Sequence, residues 1–271
     1  MYRYRFSCLV ASFYALSALA SPADSEDFSV SMDAVELLPT SPTGEVIGAN
    51  PADPQVWPTT FTFKNRNGNG CTSTAVGERV ILTAAHCVEH GGSGKIRTGA
   101  STLEVGCEHH PKYPANVSAD FALCLTGSAL PKPGSGFEKI NSDSKVPTIG
   151  QAVILLGYGC LLEDGVDRSF GALYQGAAAV EFTSAVDNLY TVTKGGSAVC
   201  FGDSGGGAYT TEGSNPNIRR LIAVNSKGDI SEYSWLSSTA TDLFLEWAME
   251  WAGSKGVHIC GIHEAAAACR Q

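Results

Sequence analysis

Short runs of apolar residues recur along the chain after residue 46, and clusters of Gly, Asn, Ser and Pro separate them. The runs lie at 61–63, 79–82, 121–125, 152–156, 179–182, 190–192 and 221–224. Short strands with turn signals between them are typical of a β-sandwich or a β-barrel. A stretch rich in Pro, Gly and Ser, residues 127–147, interrupts the runs and marks a boundary between two β units. The pattern therefore predicts an all-β protein.

One segment near the C-terminus has a helical pattern instead. Residues 242–252 contain regularly placed apolar residues, and Gly253 follows at a position where a helix commonly ends. We predict one α-helix over 242–252 that Gly253 terminates.

The first 45 residues differ from the rest of the chain. Residues 1–20 contain two arginines, then an apolar run, and end in the small-x-small pattern of a signal peptidase site. The run is too short to span a membrane, and no stop-transfer charges follow it. Residues 21–45 contain six acidic residues and no Lys or Arg, which is typical of a flexible pro-segment. We expect a secreted protein, extracellular or periplasmic, that is not held at a membrane after the signal is removed.

The net charge excludes one class of protein, and the cysteine content indicates disulfide bonds. The formal net charge is −9, whereas a protein that binds nucleic acid needs clustered basic residues, so we exclude that class. Nine cysteines are present, and Cys8 would leave with the signal peptide. The eight that remain would enter an oxidising compartment, where disulfides are the default, although counting alone leaves their pairing open.

Three segments contain the residue types of nucleophilic catalysis. His86 ends the segment LTAAH after a predicted strand, Asp120 lies in ADFAL, and Ser204 lies in the glycine-rich CFGDSGG. A serine hydroxyl is a weak nucleophile near neutral pH and needs a base within hydrogen-bond reach, which imidazole supplies because it titrates near that pH. Any one of these residues in isolation is usually structural. The three together indicate a hydrolase with an activated serine.

These segments, in the chain order His, Asp, Ser, resemble those of the trypsin/chymotrypsin-like serine proteases. The resemblance covers nearly all of residues 46–251 and implies two antiparallel Greek-key β-barrels, followed here by the C-terminal helix. It implies that Ser204 is the nucleophile, that His86 is the general base and that Asp120 orients the imidazole. The N–H groups of Gly202 and Ser204 would form the oxyanion hole. The resemblance implies no cofactor and no metal. It implies a monomer that acts on protein or peptide substrates, with a protein inhibitor as a further partner.

The segment VIGA that begins at Val46 resembles the mature N-terminus of this family, with Ala49 where a second glycine is usual. In the family the new α-amino group pairs with the aspartate before the nucleophile, which implies a salt bridge between Val46 and Asp203. Glu45 stands where Arg or Lys is usual before the cut. The activating protease would then be a glutamyl-type or less selective enzyme, or the mature chain starts elsewhere.

The resemblance also implies a substrate pocket. The residue six positions before the nucleophile, Ala198, would lie at the pocket floor, and it is neutral. Because a buried guanidinium without a partner is costly, we expect a neutral or apolar residue before the scissile bond rather than Arg or Lys. Ser226 and Gly228 would line the pocket, and Lys227 between them stands where an aromatic residue is usual.

The same resemblance implies one disulfide directly, and three further pairs are expected beside it. The family pairs Cys71 with Cys87 beside the catalytic histidine. Cys107 and Cys124 fall on strands that should be adjacent, Cys160 would replace the missing usual partner of Cys200, and Cys260 would pair with Cys269 to close the tail. For the tail, zinc bound by His258, Cys260, His263 and Cys269 is an alternative, which secretion disfavours.

Two other interpretations stay open at this point. The segment GDSGG also fits the G-x-S-x-G elbow of α/β-hydrolases, which would require Asp229 or Asp242 together with His258 or His263. A catalytically silent protease homologue that binds a partner is the second, although such proteins usually lose a catalytic residue. Separately, Asn116-Val117-Ser118 is an acceptor pattern for N-glycosylation.

The sequence thus predicts a secreted serine endopeptidase, made as a zymogen, that hydrolyses peptide bonds through an acyl-enzyme. Its parts would be a signal peptide (1–20), an acidic pro-segment (21–45), a first β-barrel (46–140), a second β-barrel (141–240) and a C-terminal helix with a disulfide-closed tail (241–271).

Overall fold

A computed structural model describes residues 49–160, 171–213, 215–263 and 267–270. The expected signal peptide, the expected pro-segment and Val46 lie outside these residues. Within them the chain forms thirteen strands, a 3-10 turn at Ala85–Cys87 and one α-helix. The strands and the helix are β1 (Asn50–Pro51), β2 (Thr60–Asn65), β3 (Gly70–Gly77), β4 (Val80–Thr83), β5 (Ser93–Thr98), β6 (Ser101–His109), β7 (Ala122–Thr126), β8 (Ala152–Gly157), β9 (Tyr174–Phe182), β10 (Tyr190–Lys194), β11 (Gly207–Glu212), β12 (Asn215–Gly228), β13 (Tyr233–Ser238) and α1 (Asp242–Lys255).

The first six long strands close into an antiparallel barrel in the order β2-β3-β4-β7-β6-β5. Large apolar side chains from its strands, including Phe63, Ile81, Ile96 and Leu123, are fully buried inside it. Burial of these side chains is the main contribution to the stability of the barrel, because each removes apolar surface from water.

The remaining long strands form a second ring, β8-β9-β10-β13-β12-β11, in which β8 pairs with both β9 and β11. The short strand β1 adds to β9 outside the ring. The interior of the second ring is a separate apolar cluster that includes Val153, Val180, Ile222 and Leu236. The prediction of two antiparallel β-barrels is confirmed, and the predicted rival, an α/β-hydrolase, is wrong because that fold needs a central sheet covered by helices.

Several strands that the apolar runs did not reveal are rich in threonine and serine. In β3, Thr72, Ser73 and Thr74 are all buried, and in β13 Ser234 and Ser237 are buried too. Threonine favours strands through its branched Cβ, whereas a search for apolar runs passes over it. The barrels therefore contain more strands than the runs alone predict.

The C-terminal helix begins where Thr241 caps it, since the Thr241 hydroxyl accepts a hydrogen bond from the amide of Phe244 at 3.3 Å. The expectation that Gly253 ends the helix is wrong. The helix continues to Lys255 and ends at Gly256, whose φ of 62° gives the left-handed conformation of a C-cap. Gly253 has no such conformation, so it remains helical. In the described ranges, no helix combines the length and the hydrophobicity that a membrane-spanning helix needs.

A buried cluster of charges joins the segment between the barrels, strand β12 and the C-terminal tail. Glu138 accepts hydrogen bonds from Arg219 at 2.6 Å, from Arg270 at 3.0 Å and from the Thr59 hydroxyl at 2.7 Å. The Arg219 guanidinium also lies 3.6 Å from the centre of the Trp57 ring. Each partner compensates for the desolvation of another, so the cluster is held together as a unit.

Candidate active site

His86 lies in a tight turn directly after strand β4. The 3-10 turn Ala85–Cys87 carries it, and Cys87 is joined to Cys71 of β3 by a disulfide. Both flanking positions are buried, while the histidine is exposed. The turn is thus anchored on both sides, and the imidazole is presented at the end of the first barrel.

Asp120 lies two residues before β7 and is buried, as are its neighbours Ala119 and Phe121. One carboxylate oxygen, Oδ2, lies 2.7 Å from His86 Nδ1, and the other, Oδ1, accepts the backbone N–H of His86 at 2.9 Å. Because a carboxylate only accepts, Nδ1 must carry the proton and Nε2 is left with a free lone pair. This is the tautomer that a general base requires.

The pKa of His86 reflects two opposing effects. Partial burial of the imidazole, whose side chain is 28% exposed, lowers the pKa, but the hydrogen bond that Nδ1 donates to Asp120 and the negative charge of Asp120 together raise it above the ordinary value of 6.5. The contact with Asp120 therefore stabilises the imidazolium that forms when His86 takes up a proton during catalysis.

Ser226 supplies a further contact to the same carboxylate. Its hydroxyl donates a hydrogen bond to Asp120 Oδ2 at 2.6 Å. A β-bulge explains why the Ser226 side chain points toward Asp120. Asn225 pairs with Leu236 and Lys227 pairs with Trp235, which leaves Ser226 as the extra residue. The sequence placed Ser226 in the substrate pocket and missed its contact with Asp120. The bulge that directs it has no signal in the sequence.

The Ser204 backbone is fixed against the first barrel. Its carbonyl oxygen accepts the N–H of Thr72 at 2.8 Å and lies 3.7 Å from Sγ of Cys87, the residue after His86. The next residue, Gly205, has a φ of 84°, and a Cβ there would lie 2.1 Å from the Thr83 hydroxyl. Only glycine permits this approach, so the serine loop and the histidine turn come together.

The Gly202–Asp203 pair is also held in place. The carbonyl of Gly202 accepts a hydrogen bond from the Thr72 hydroxyl at 2.8 Å. The Asp203 carboxylate accepts the N–H groups of Gly159 at 2.8 Å and Cys200 at 2.9 Å. Burial of the carboxylate raises the pKa of Asp203 to about 6, while these two hydrogen bonds lower it. The expected partner of Asp203, Val46, lies outside the described residues.

The three residues expected in the substrate pocket lie on two neighbouring segments. Ala198 is buried. A Cβ on Gly228 would lie 2.4 Å from the carbonyl oxygen of Val199, so the segments that carry Ala198 and Gly228 are in contact. Glycine at 228 is what allows the two segments to approach so closely.

The described part of the chain contains four disulfides, and their pairs are those expected from the sequence: Cys71–Cys87, Cys107–Cys124, Cys160–Cys200 and Cys260–Cys269. Zinc binding by the tail is thereby disfavoured, because a zinc site needs thiolates and the sulfurs of Cys260 and Cys269 are bonded to each other. The same argument applies to the group Cys71, His86 and Cys87, whose ligand atoms lie close together.

Two residues singled out by the sequence have local structural contacts. Asp229 Oδ1 accepts the backbone N–H groups of Ser231, Glu232 and Tyr233, which stabilises the turn before β13. Asn116 Oδ1 accepts hydrogen bonds from the amide and hydroxyl of Ser118 at 3.0 and 2.6 Å. Glycosylation at Asn116 stays a prediction.

Comparison with known proteins gives one family. A sequence model of the trypsin family matches residues 46–235. Mouse neutrophil elastase is 24% identical over 180 residues, which cover 60% of this chain and 67% of that protein. A vitellin-degrading protease of Bombyx mori is 27% identical over 201 residues, which cover 62% of this chain and 73% of that protein. The family match includes His86, Asp120 and Ser204.

Proposed function

Since this chain belongs to the trypsin family of serine proteases, we propose that it is a serine endopeptidase with Ser204, His86 and Asp120 as its catalytic triad. The observation that carries the proposal is the contact of 2.7 Å between Asp120 and His86 Nδ1, beside the anchored backbone of Ser204. Family, fold and local geometry all support the same three residues.

In the first half of the reaction, Ser204 Oγ attacks the carbonyl carbon of the scissile peptide bond while His86 Nε2 takes the hydroxyl proton. The tetrahedral intermediate collapses to an ester on Ser204, and the imidazolium returns its proton to the leaving amine. Water then hydrolyses the ester with His86 again as the base. Asp120 stays ionised and stabilises the imidazolium throughout.

The oxyanion of the tetrahedral intermediate would be bound by the backbone N–H groups of Gly202 and Ser204. The anchoring of this loop by Thr72 and by the Asp203 carboxylate supports the assignment, because donors that are fixed in advance need not reorganise during the reaction. Each such donor contributes about 10²- to 10³-fold in rate.

Substrates would be proteins or peptides with a neutral or apolar residue before the scissile bond. The buried, uncharged Ala198 supports this preference, since an alanine at the expected pocket floor supplies no carboxylate to pair with a Lys or Arg side chain. We further propose that the enzyme works as a secreted monomer. The four disulfides support secretion, because disulfides persist in oxidising compartments.

Activation would follow cleavage after Glu45, so that the new amino group of Val46 pairs with Asp203. In support, the family match begins at Val46. A cavity of about 20 Å³ beside Asp203 is lined in addition by Gly157, Gly159 and Ala49, the last of which is only three residues from Val46. N-terminal sequencing of the active protein tests this step, and any first residue other than Val46 would contradict it.

Covalent labelling tests the enzyme itself. A fluorescent alkyl fluorophosphonate should label the processed protein, and the Ser204→Ala variant should stay unlabelled. Absence of labelling in a correctly folded, processed wild-type protein would favour the catalytically silent homologue. Labelling that persists in Ser204→Ala would refute the assignment of the nucleophile.

A further inference from the structure

Lys227 is a cation near the end of strand β12 in the second barrel. Its neighbour Ser226 binds Asp120 directly, whereas Lys227 itself is exposed. The Lys227 ammonium lies 5.3 Å from the centre of the Tyr190 ring and 5.7 Å from that of Trp235. Two aromatic rings thus lie close to one surface cation, whose neighbour in sequence binds Asp120.

The backbone of residues 226–228 offers an open strand edge at this place. On one side Lys227 and Gly228 pair with β13. On the other side β11 pairs with β12 only as far as Val224, so residues 226–228 have no strand partner there among the residues that the structure describes. An extended peptide can add to such an edge through main-chain hydrogen bonds, while nearby side chains select its residues.

The carboxylates near Lys227 are already engaged. Asp120 accepts hydrogen bonds from His86 and Ser226, and Asp229 accepts three from its own turn. Glu232 pairs with Lys194 at 3.4 Å. No carboxylate in the described part of the chain forms an ion pair with Lys227.

We propose that Lys227 is a specificity-determining residue that selects peptides with an acidic side chain two to four positions before the scissile bond. The bound peptide would lie along the open edge of residues 226–228, and its carboxylate would meet the ammonium that Tyr190 and Trp235 hold in place. This inference rests on the proposed endopeptidase function and names a substrate class for it.

The test uses the processed protein and acetylated tetrapeptides with a C-terminal aminocoumarin. The residue before the cut is an equal mixture of neutral residues, and each of the three preceding positions is varied in turn among Glu, Gln and Lys. At one of these positions we expect kcat/KM to favour Glu over Gln by about two- to five-fold, the size of an exposed charge pair. Added salt at 0.5 M should reduce the preference, because it screens exposed charges.

Two substitutions and a control complete the design. Lys227→Gln should abolish the preference for Glu, and Lys227→Glu should reverse it in favour of Lys. Lys194→Gln is the matched control, since Lys194 lies on β10, one strand beyond β13, and already pairs with Glu232, so the preference should persist there. Thermal unfolding shows whether each variant is folded, and the reversal of sign in Lys227→Glu is itself a result that misfolding would not produce.

Equal cleavage of the Glu and Gln peptides by wild-type protein would overturn the inference, as would a preference that survives in Lys227→Gln. If the wild-type protein is not labelled by the fluorophosphonate, the proposed function fails instead. The inference about Lys227 is then decided by fluorescence anisotropy with fluorescein-labelled Glu and Gln peptides. Tighter binding of the Glu peptide that depends on Lys227 supports the inference, and equal binding refutes it.

Discussion

The hydroxyl of Ser226, on strand β12 of the second barrel, donates a hydrogen bond to Asp120, which precedes β7 of the first barrel, at 2.6 Å. Asp120 therefore accepts hydrogen bonds from three groups, two on His86 and one on Ser226. The orientation of the aspartate depends on both barrels at once. A change in the packing of one barrel against the other would consequently alter the base as well as the nucleophile.

Ser226→Ala tests this contact. Removal of one hydrogen bond to a charged group should lower kcat/KM by about ten-fold, because the loss of such a bond costs about 1.5 kcal/mol. Steady-state kinetics on a neutral peptide substrate measure the effect. Ser237→Ala is the matched control: Ser237 is buried on the adjacent strand β13, its hydroxyl has no hydrogen-bond partner among the described residues, and kcat/KM should stay within two-fold of wild type. A Ser226→Ala variant with wild-type kcat/KM would contradict the prediction.

The pH dependence of kcat/KM should report His86. The base acts only when neutral, so activity should rise with pH through a midpoint above 6.5, the ordinary value, because the contact with Asp120 raises the pKa of His86. In Asp120→Asn the raising effects of the carboxylate disappear while burial remains. The pKa of His86 should then fall below 6.5, and activity should fall by about 10⁴-fold. NMR titration of the His86 ring protons measures the pKa directly, and an unchanged value in Asp120→Asn would refute the proposed coupling.

Asp203 should make the stability of the full chain depend on pH. Its pKa is about 6 in the folded chain against an ordinary value of 3.8, so the folded state binds more protons than the unfolded state between these values. The free energy of unfolding should therefore decrease as pH rises from about 4 to about 6, by at most about 3 kcal/mol. Urea unfolding of wild type and Asp203→Asn across this range measures the difference. If the pH slopes of the two proteins coincide, Asp203 does not titrate as described.

Removal of a charge should destabilise the protein most in the buried cluster around Glu138. The side chains of Glu138 and Arg219 are fully buried, so Glu138→Ala leaves uncompensated positive charge and should lower the free energy of unfolding by about 3–5 kcal/mol. Glu108, whose side chain is 40% exposed and pairs with Lys255 at 2.6 Å, provides the control. Glu108→Ala should cost less than about 1 kcal/mol. Similar losses in both variants, measured by urea unfolding, would argue against this account of the cluster.

The sequence was most informative where chemistry is local. The short motifs around His86 and Ser204 are sufficient to identify these residues as candidates for catalysis, and the runs of apolar residues are sufficient to predict two β units. It was less informative about Glu138, because no short pattern marks a carboxylate whose partners Arg219 and Arg270 lie 81 and 132 positions away. The end of the C-terminal helix was misplaced for a related reason, since two glycines were available and only backbone conformation distinguishes Gly253 from Gly256.

Residue type and order are therefore sufficient to predict the family resemblance, the class of fold and the residues proposed for catalysis. Which groups come into contact depends on the three-dimensional arrangement of the strands. This arrangement directs Ser226 to Asp120 through a bulge, anchors Ser204 beside the histidine turn, and leaves Lys227 as an exposed cation at an open strand edge. Such contacts depend on the register of strands that are distant in sequence, and a shift of one residue would turn each side chain to the opposite face.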